Sequence, residues 1–221
     1  MTFATIYSNA LNLLNLPAGT TFYTQAEALV QVQRLYNQLY VDLMDNDDDY
    51  FCTTLYVPNT AFTADAQRTF TYLYPLPTDY MRLRMLQYQG QGLGTQSTYF
   101  PVYKMTLEEF GNTQNIPAYR IVGSNIQIYD PVGYSYYAVW YYPAPMTWTL
   151  STNMAFPNNF IQDWLTYKLA AEIRMKQHED AKLWIDTAHE IRNANIRQQS
   201  RDDAKALSPK NIFGEGYDPW Y

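Results

Sequence analysis

The sequence has 221 residues, of which 47% are hydrophobic and only 16% are charged, so the chain can bury a sizeable core and is not a disordered protein. Its formal net charge of −6 argues against a protein that binds nucleic acid through a basic patch. The single cysteine, Cys52, excludes an internal disulfide and gives no indication of an oxidising compartment.

No apolar run reaches the roughly 20 residues that a membrane span needs, and the N-terminus lacks the pattern of a signal peptide. We therefore expect synthesis in the cytoplasm and no membrane partner. Tyrosine is the unusual component, with 22 residues in an aromatic content of 17%. Tyrosine is enriched at protein interfaces, and it also fills strands with one exposed face, so both explanations stay open.

Two helices are predicted at the start of the chain. Apolar residues recur at helical spacing from Phe3 to Leu14, and Pro17 with Gly19 ends that pattern. Thr24 and Glu27 then form a capping box in front of a second helix. Its apolar stripe consists of Ala28, Val32, Leu35, Leu39 and Leu43.

An acidic run follows the second helix. It contains Asp45, Asp47, Asp48 and Asp49. The alternation resembles a calcium loop, but Tyr50 stands where the loop needs glycine and Tyr56 where it needs glutamate. We therefore interpret the run as a solvated acidic rim, with no metal bound.

Over residues 51–142 the apolar and polar side chains alternate with a period of two, and the segment is rich in Tyr, Phe, Thr, Val and Ile. Turn residues separate the strands, among them Gly90 to Gly94 and the pair Gly123 and Ser124. The predicted strands are 51–57, 69–74, 82–89, 98–103, 119–122, 125–129 and 134–142. This pattern predicts a compact antiparallel β module, either a small sandwich or a barrel.

Two more helices are predicted after the strands, over 156–175 and 179–206. The first is apolar on nearly every side, so it needs packing partners all round. We expect these partners to be the second helix, the last helix and the base of the β module. Asn158 or Asn159 is expected to cap it, and Arg174 with Lys176 complements the negative end of its dipole.

The last segment, 208–221, has no helix or strand period but is rich in large apolar residues. These are Ile212, Phe213, Tyr217, Trp220 and Tyr221. Such a tail is expected to dock either on a partner or on its own domain.

No catalytic, cofactor or metal constellation stands out in the sequence. His178 and His189 are interpreted as residues on a solvated helix surface, and Cys52 as a half-buried thiol. Asp130 and the pair Glu108 and Glu109 offer carboxylates for a carbohydrate-active protein, but any acidic β protein does the same. We therefore expect a protein that is not an enzyme and has no cofactor.

The fold class that follows is α+β: a helical bundle of two N-terminal and two C-terminal helices, an inserted antiparallel β module and an extended tail. The expected boundaries are 1–48 for the first part of the helical domain, 49–150 for the β domain, 151–207 for the second part of the helical domain, and 208–221 for the aromatic tail.

Three stretches stand out along the chain: YPLPTDYMRLRMLQY at 74–88, YRIVGSNIQIYDPVGYSYYAVWYYPAP at 119–145, and FPNNFIQDWLTYKLAAE at 156–172. In their order and spacing they resemble the head-to-tail adaptors of tailed bacteriophages, the group called connector, head-completion, gatekeeper or tail tubular protein A. The resemblance covers about residues 26 to 190. The acidic run of the rim and the aromatic tail fall outside the motifs that carry it.

The resemblance implies a structural protein that forms a homo-oligomeric, dodecameric ring at the head–tail junction of the virion. Its partners would be the portal protein and a downstream tail or nozzle protein, and packaged DNA would pass through without specific binding. The aromatic tail would dock on the portal. Two alternatives are another phage tail ring or nozzle component and a carbohydrate-binding module.

Overall fold

The computed structural model describes residues 2–18, 20–46, 49–90, 98–106, 117–153 and 159–206. Within them the protein is α+β, with four α-helices and two β-sheets. The chain divides into two compact units. The helical unit comprises Met1–Asp48 and Pro145–Tyr221, and the β unit comprises Asp49–Ala144.

The helical unit contains two helices from each end of the chain. They are α1 (Phe3–Leu13), α2 (Gln25–Asp45), α3 (Phe160–Lys176) and α4 (Lys182–Ala206). The predicted capping box is confirmed, because the Thr24 side chain accepts from the backbone N–H of Glu27 at 3.3 Å and the Glu27 carboxylate accepts from that of Thr24 at 2.9 Å. Two of the unsatisfied N–H groups at this helix start are thereby paired.

The loop before α2 is held by contacts to α1 and α3. The Tyr7 hydroxyl donates to the Tyr23 carbonyl at 2.6 Å, and the Lys176 ammonium donates to the Phe22 carbonyl at 2.9 Å. The same ammonium lies 5.2 Å from the ring centroid of Phe22 and 5.1 Å from that of Tyr23, within the range of a cation–π contact. Lys176 therefore fastens the start of α2 to the end of α3.

Helix α3 is the centre of the helical unit. Its side chains are buried on most sides of the helix, including Phe160, Ile161, Trp164, Leu165, Leu169 and Ile173. Helices α1, α2 and α4 all pack against it. The expectation that α2 and the last helix are its neighbours is therefore confirmed, and α1 is a neighbour that the sequence did not indicate.

Of the two residues expected to cap the start of α3, Asn159 does not do so with its side chain. Asn159 occupies the cap position, but its side chain makes no capping hydrogen bond. Its backbone is already helical, with φ −81° and ψ 0°, whereas a capping side chain reaches back from an extended backbone. Asn158 lies outside the described residues. At the other end, Arg174 and Lys176 lie in the last turn as expected.

The chain returns to the helical unit through a segment that lies on α2. Trp148 donates its backbone N–H to the side-chain oxygen of Gln33 at 2.6 Å, and the Gln33 amide donates to the Met146 carbonyl at 3.2 Å. The Trp148 ring meets Tyr36 edge-on with centroids 5.7 Å apart. One buried tryptophan and one glutamine thus position the connection to α3.

The described residues of the β unit include nine strands. They are β1 (Thr53–Pro58), β2 (Thr63–Ala64), β3 (Thr71–Pro75), β4 (Tyr80–Gly90), β5 (Thr98–Pro101), β6 (Tyr103–Lys104), β7 (Ala118–Val122), β8 (Asn125–Tyr129) and β9 (Tyr136–Pro143). The first sheet has the order β1-β9-β4-β5 and the second β2-β3-β8-β7-β6. Strands β7 and β8 are joined by the predicted two-residue turn, in which Gly123 has φ +58°, a conformation that glycine adopts without strain.

Two expectations about the sheets need correction. The predicted strand 98–103 is two strands, since the chain leaves the first sheet at Pro101 and joins the second at Tyr103. Buried Val102 lies between them and donates its N–H to the Leu86 carbonyl at 2.8 Å. Strand β6 then pairs with β7 in parallel, so the module is not wholly antiparallel. Parallel neighbours need a long crossover, and residues 105–117 separate these two strands.

Neither sheet closes into a barrel among the described residues. The edge strands β1 and β5 of the first sheet each end in a proline, Pro58 and Pro101. Proline has no N–H to donate to a neighbouring strand and is therefore favoured at edges and disfavoured within a sheet; the inner strands β3 and β9 also end in proline, Pro75 and Pro143. The hydrophobic core of the unit draws on both sheets, with Val57, Leu86 and Val139 from the first and Ile126 and Ile128 from the second.

Replacement of Thr24 by Ala is predicted to destabilise the protein by about 1 kcal/mol, the usual cost of losing an N-cap acceptor. Urea unfolding followed by circular dichroism measures this change. The matched control is Thr21→Ala, the same substitution at an exposed threonine of the same loop. If the two variants lose equal stability, the capping box does not stabilise α2.

Candidate interaction surfaces

Most of the residues chosen from the sequence as sites fall outside the described part of the chain. Ile212, Phe213, Tyr217, Trp220 and Tyr221 all lie outside it, as do Asp47, Asp48 and the side chain of Asp49. Asp45 is the last residue of α2 and is exposed. The acidic rim and the docking tail therefore stay predictions.

The outward side of α2 is a surface that the sequence did not single out. We call it the α2 stripe and define it as Val30, Arg34, Gln38, Val41 and Asp45. These residues recur every three or four positions, so they share one face of the helix. Val30 is 66% exposed and Val41 is 39% exposed. Two β-branched apolar residues thus lie in solvent on the face opposite the core.

Open grooves accompany the α2 stripe. One, of about 470 Å³, is lined by residues of α2 and α3 that include Val30 and Met175. Another, of about 580 Å³, is lined by residues of α2 that include Arg34, Val41 and Asp45. Their lining combines apolar side chains with charges of both signs, which is the composition of an interface rim around a small apolar centre.

Three ion pairs tie α2 to the two C-terminal helices. Glu27 meets Lys176 at 2.7 Å, Arg34 meets Glu172 at 2.6 Å, and Asp42 meets Arg192 at 2.5 Å. The three α2 residues of these pairs are seven and eight positions apart and alternate in charge. Each ion pair therefore lies about two helical turns from the next. Exposed pairs contribute little to stability individually. Their chief effect is to fix the register of α2 against α3 and α4.

Glu27 has a strongly shifted acidity. The hydrogen bond from Lys176, followed by the one from the Thr24 backbone N–H, lowers the pKa of Glu27 to about 2. Because the folded protein holds the ionised form more strongly than the unfolded chain does, this interaction stabilises the protein above the usual glutamate pKa. The stabilisation is lost as the pH falls towards 2.

The β unit carries an aromatic surface on the side of its first sheet that faces away from the core. We call it the outer aromatic face and define it as Tyr56, Tyr99, Tyr136 and Trp140. Tyr56 is 60% exposed and Tyr136 is 47% exposed, and the rings of Tyr56 and Tyr99 lie 5.9 Å apart. The Trp140 ring N–H donates to the Gln87 side chain at 2.9 Å, which fixes its orientation. The abundant tyrosine thus serves both an exposed face and the core, where Tyr137 and Tyr141 are buried.

Asp130 occupies a position that its sequence context did not reveal. Only 3% of the residue is exposed, and each carboxylate oxygen accepts two hydrogen bonds. Oδ1 accepts from the backbone of Val132 at 3.0 Å and Gly133 at 2.8 Å, and Oδ2 accepts from the backbone of Tyr134 at 2.7 Å and the hydroxyl of Tyr137 at 2.6 Å. The carboxylate therefore organises the turn between β8 and β9. Glu108 and Glu109 lie outside the described residues.

Both histidines are solvent-exposed as expected, but only His189 lies on a helix. His178 lies in the turn between α3 and α4 with φ +58°, and His189 lies on α4 with its ring 3.5 Å from the Lys168 ammonium. Cys52 is half-buried, as expected, and its thiol donates to the Thr53 carbonyl at 3.8 Å. The described residues contain no cluster of three or more metal-ligating side chains.

Within the part of the chain that the structure describes, no helix is both long and apolar enough to span a membrane. Comparison of the chain with models of known protein families gave no match, and comparison with curated proteins gave none either.

The α2 stripe and the hydrogen bonds of Asp130 were missed for different reasons. Val30 and Val41 could have been found from the sequence, because they lie on the helical face opposite the predicted apolar stripe. The bonds of Asp130 could have been found only in part. An aspartate followed by proline and glycine predicts a turn, but the bond from Tyr137 depends on the course of the next strand.

Replacement of Glu27 by Gln is predicted to lower the melting temperature at neutral pH and to have a diminishing effect as the pH falls below 4.5 towards 2. The reason is that acid protonates Glu27 in the wild type and removes the same interaction. Thermal unfolding across this pH range measures the difference. Glu190→Gln is the control, since Glu190 is exposed on α4 and has no ion pair within the described residues. A difference between wild type and Glu27→Gln that does not change with pH would contradict the assignment.

Proposed function

We propose that the protein is a structural head-to-tail adaptor of a tailed bacteriophage, which forms a homo-oligomeric ring between the portal and the tail. The observation that carries the proposal is the placement of the three stretches that resemble this family. They fall on β3 and β4, on β7 to β9, and on α3, which are the central strands of both sheets and the central helix. The resemblance thus involves the elements that form the two cores.

The α2 stripe is the proposed ring contact in the helical unit. Helix α3 is enclosed by α1, α2 and α4 of its own chain, so its apolar sides are already used. Val30 and Val41 remain in solvent. A ring requires a heterologous contact, in which one surface meets a different surface of the next subunit. The stripe, with its grooves and mixed charges, has the composition for one side of such a contact.

The outer aromatic face is the proposed contact with the downstream tail or nozzle protein. Tyr56 and Tyr136 of this face are exposed, and Tyr99 and Trp140 are half-buried. Tyrosine and tryptophan provide large contact area with few rotatable bonds and a polar tip for hydrogen bonding. We further propose that the two sheets pack as a sandwich and the four helices as a bundle. The shared hydrophobic core of the two sheets supports the first arrangement, and the enclosure of α3 supports the second.

The protein acts by assembly and by retaining packaged DNA, with no reaction of its own. The net charge of −6 supports this role, because an acidic channel wall repels phosphates and lets DNA pass without binding it. The location that follows is the head–tail junction of the virion, after synthesis in the cytoplasm of the bacterial host. Another ring or nozzle component of the tail is the nearest alternative.

A carbohydrate-binding module is a second candidate, and the outer aromatic face is the observation that favours it. Exposed aromatic rings can serve as a platform for sugar rings as well as for a protein. Binding of the purified protein to a glycan array would support this alternative, and failure of the β unit to bind any tail protein would support it further.

The ring is tested by light scattering on the purified protein, alone and mixed with portal protein. We predict particles whose mass is a multiple of the chain mass, formed either spontaneously or on the portal. Val30→Glu is predicted to abolish these particles, because it places a charge on the more exposed of the two valines of the α2 stripe without disturbing the core.

The matched control is Leu183→Glu on α4, since Leu183 is 66% exposed, as Val30 is. It is expected to leave assembly intact. Assembly that survives Val30→Glu but fails in Leu183→Glu would move the ring contact from α2 to α4. Persistent monomers of the wild type in the presence of portal would contradict the adaptor function itself.

Deletion of residues 208–221 is predicted to abolish docking on the portal and to leave the helical circular dichroism and melting temperature unchanged. The measurement is co-sedimentation with portal particles. The control replaces Ile212, Phe213, Tyr217, Trp220 and Tyr221 by serine in the full-length chain, which keeps the length and removes the apolar groups. Normal docking of the truncated chain would show that the tail is not the portal-binding segment.

A further inference from the structure

A small, partly enclosed cavity lies in the β unit beside the turn that Asp130 organises. Its volume is about 80 Å³, and its lining includes Phe62, Tyr72, Tyr137 and Asp130. A water in the liquid takes about 30 Å³, so the cavity has room for a head group of a few heavy atoms. It is too small for a sugar ring or a nucleotide.

The wall of the cavity includes a buried negative charge that has no cationic partner. Asp130 is 3% exposed, and its four hydrogen-bond donors are three backbone N–H groups and the Tyr137 hydroxyl, all of them neutral. No lysine or arginine pairs with it in the described part of the chain. Neutral donors stabilise such a charge but leave its field in the cavity.

Three aromatic rings form the other walls. The rings of Phe62 and Tyr137 lie 5.1 Å apart and are inclined at 56°, and Tyr72 lines the cavity from β3. Burial, followed by the bond to Asp130, raises the pKa of Tyr137, so its hydroxyl keeps its proton. The three rings lie around one cavity, and aromatic cages bind quaternary ammonium groups through cation–π contacts.

We propose that this cavity binds a methylated ammonium group. The three rings supply cation–π contacts, and the Asp130 carboxylate supplies the compensating charge. This site is independent of the proposed ring and tail contacts, because it lies on the core side of the sheets of the β unit.

The preference for methylated over primary ammonium follows from the hydrogen bonds of Asp130. A carboxylate has about four acceptor positions, and all four are occupied. A primary ammonium that entered the cavity would find no free acceptor position on Asp130 to replace its bonds to water, at a cost of desolvation. A quaternary ammonium, in which every N–H is replaced by a carbon substituent, has no such bonds to lose and gains contact with the rings.

The test uses NMR titration of the full-length protein with choline and with its tert-butyl analogue, in which carbon replaces nitrogen. The two molecules have the same shape and differ in charge. We expect choline to shift the amide resonances of residues 130–137 and to bind about tenfold more tightly than the analogue, a ratio in the range of a desolvated cation–π contact. Methylammonium is expected to bind more weakly than choline.

Variants separate the contribution of the Asp130 charge from that of the aromatic rings. Asp130→Asn keeps an acceptor oxygen and is expected to weaken choline binding about tenfold while leaving the analogue unaffected. Its matched control is Asp79→Asn, which removes the charge from another aspartate–tyrosine pair of the same unit, since Asp79 accepts from Tyr141 at 3.2 Å. Phe62→Leu is expected to weaken choline several-fold, and it tests the site by a second route if Asp130→Asn disturbs the turn.

Choline and a peptide with trimethyllysine distinguish a free small molecule from a protein side chain as the natural source, and binding of either supports the site. Equal binding of choline and its neutral analogue would overturn the proposal, as would the absence of binding by every methylated ammonium probe. Equal weakening by Asp79→Asn and Asp130→Asn would also overturn it, because the effect would then be one of general charge.

Discussion

The fold of the helical unit depends on the burial of α3. A helix with apolar side chains on nearly every side must be covered on nearly every side, since each large apolar side chain left in water forgoes about 1.5–3 kcal/mol. The cover comes from α1 and α2 at one end of the chain and from α4 at the other. The two ends of the chain must therefore meet, and the strands between them form a separate unit.

Polar contacts set the positions of the helices relative to one another, but apolar burial causes the helices to pack. The ion pairs from Glu27, Arg34 and Asp42 set the position of α2 along α3 and α4, and Lys176 joins the loop before α2 to the end of α3. Burial of α3 by its own chain also limits where other subunits can bind. On α2, the apolar groups that stay in solvent are Val30 and Val41, on the side opposite the core, which is why the proposed ring contact lies there.

Local sequence patterns were sufficient to predict those structural features that depend only on residues close together in the chain. The capping box of Thr24 and Glu27, the turn at Gly123 and most strand positions belong to this class. Local patterns were not sufficient to predict features that depend on contacts between segments far apart in the chain. The division of 98–103 into β5 and β6 depends on the bond from Val102 to Leu86, and the parallel pairing of β6 depends on the crossover to β7. The packing of α1 on α3 and the cavity beside Asp130 likewise combine residues far apart in the chain.

The two units carry different kinds of exposed surface, and the difference is consistent with different partners. The α2 stripe combines isolated valines with charges, whereas the outer aromatic face is formed by tyrosine and tryptophan on a sheet.

The most direct test of the central claim, that the protein forms a ring through the α2 stripe, is electron microscopy of the assembled particle at a resolution that traces helices. The account predicts a closed ring with the α2 stripe of each subunit at the boundary with the next. A ring joined through another surface would contradict the assignment of the stripe, and particles without rotational symmetry would contradict the adaptor function.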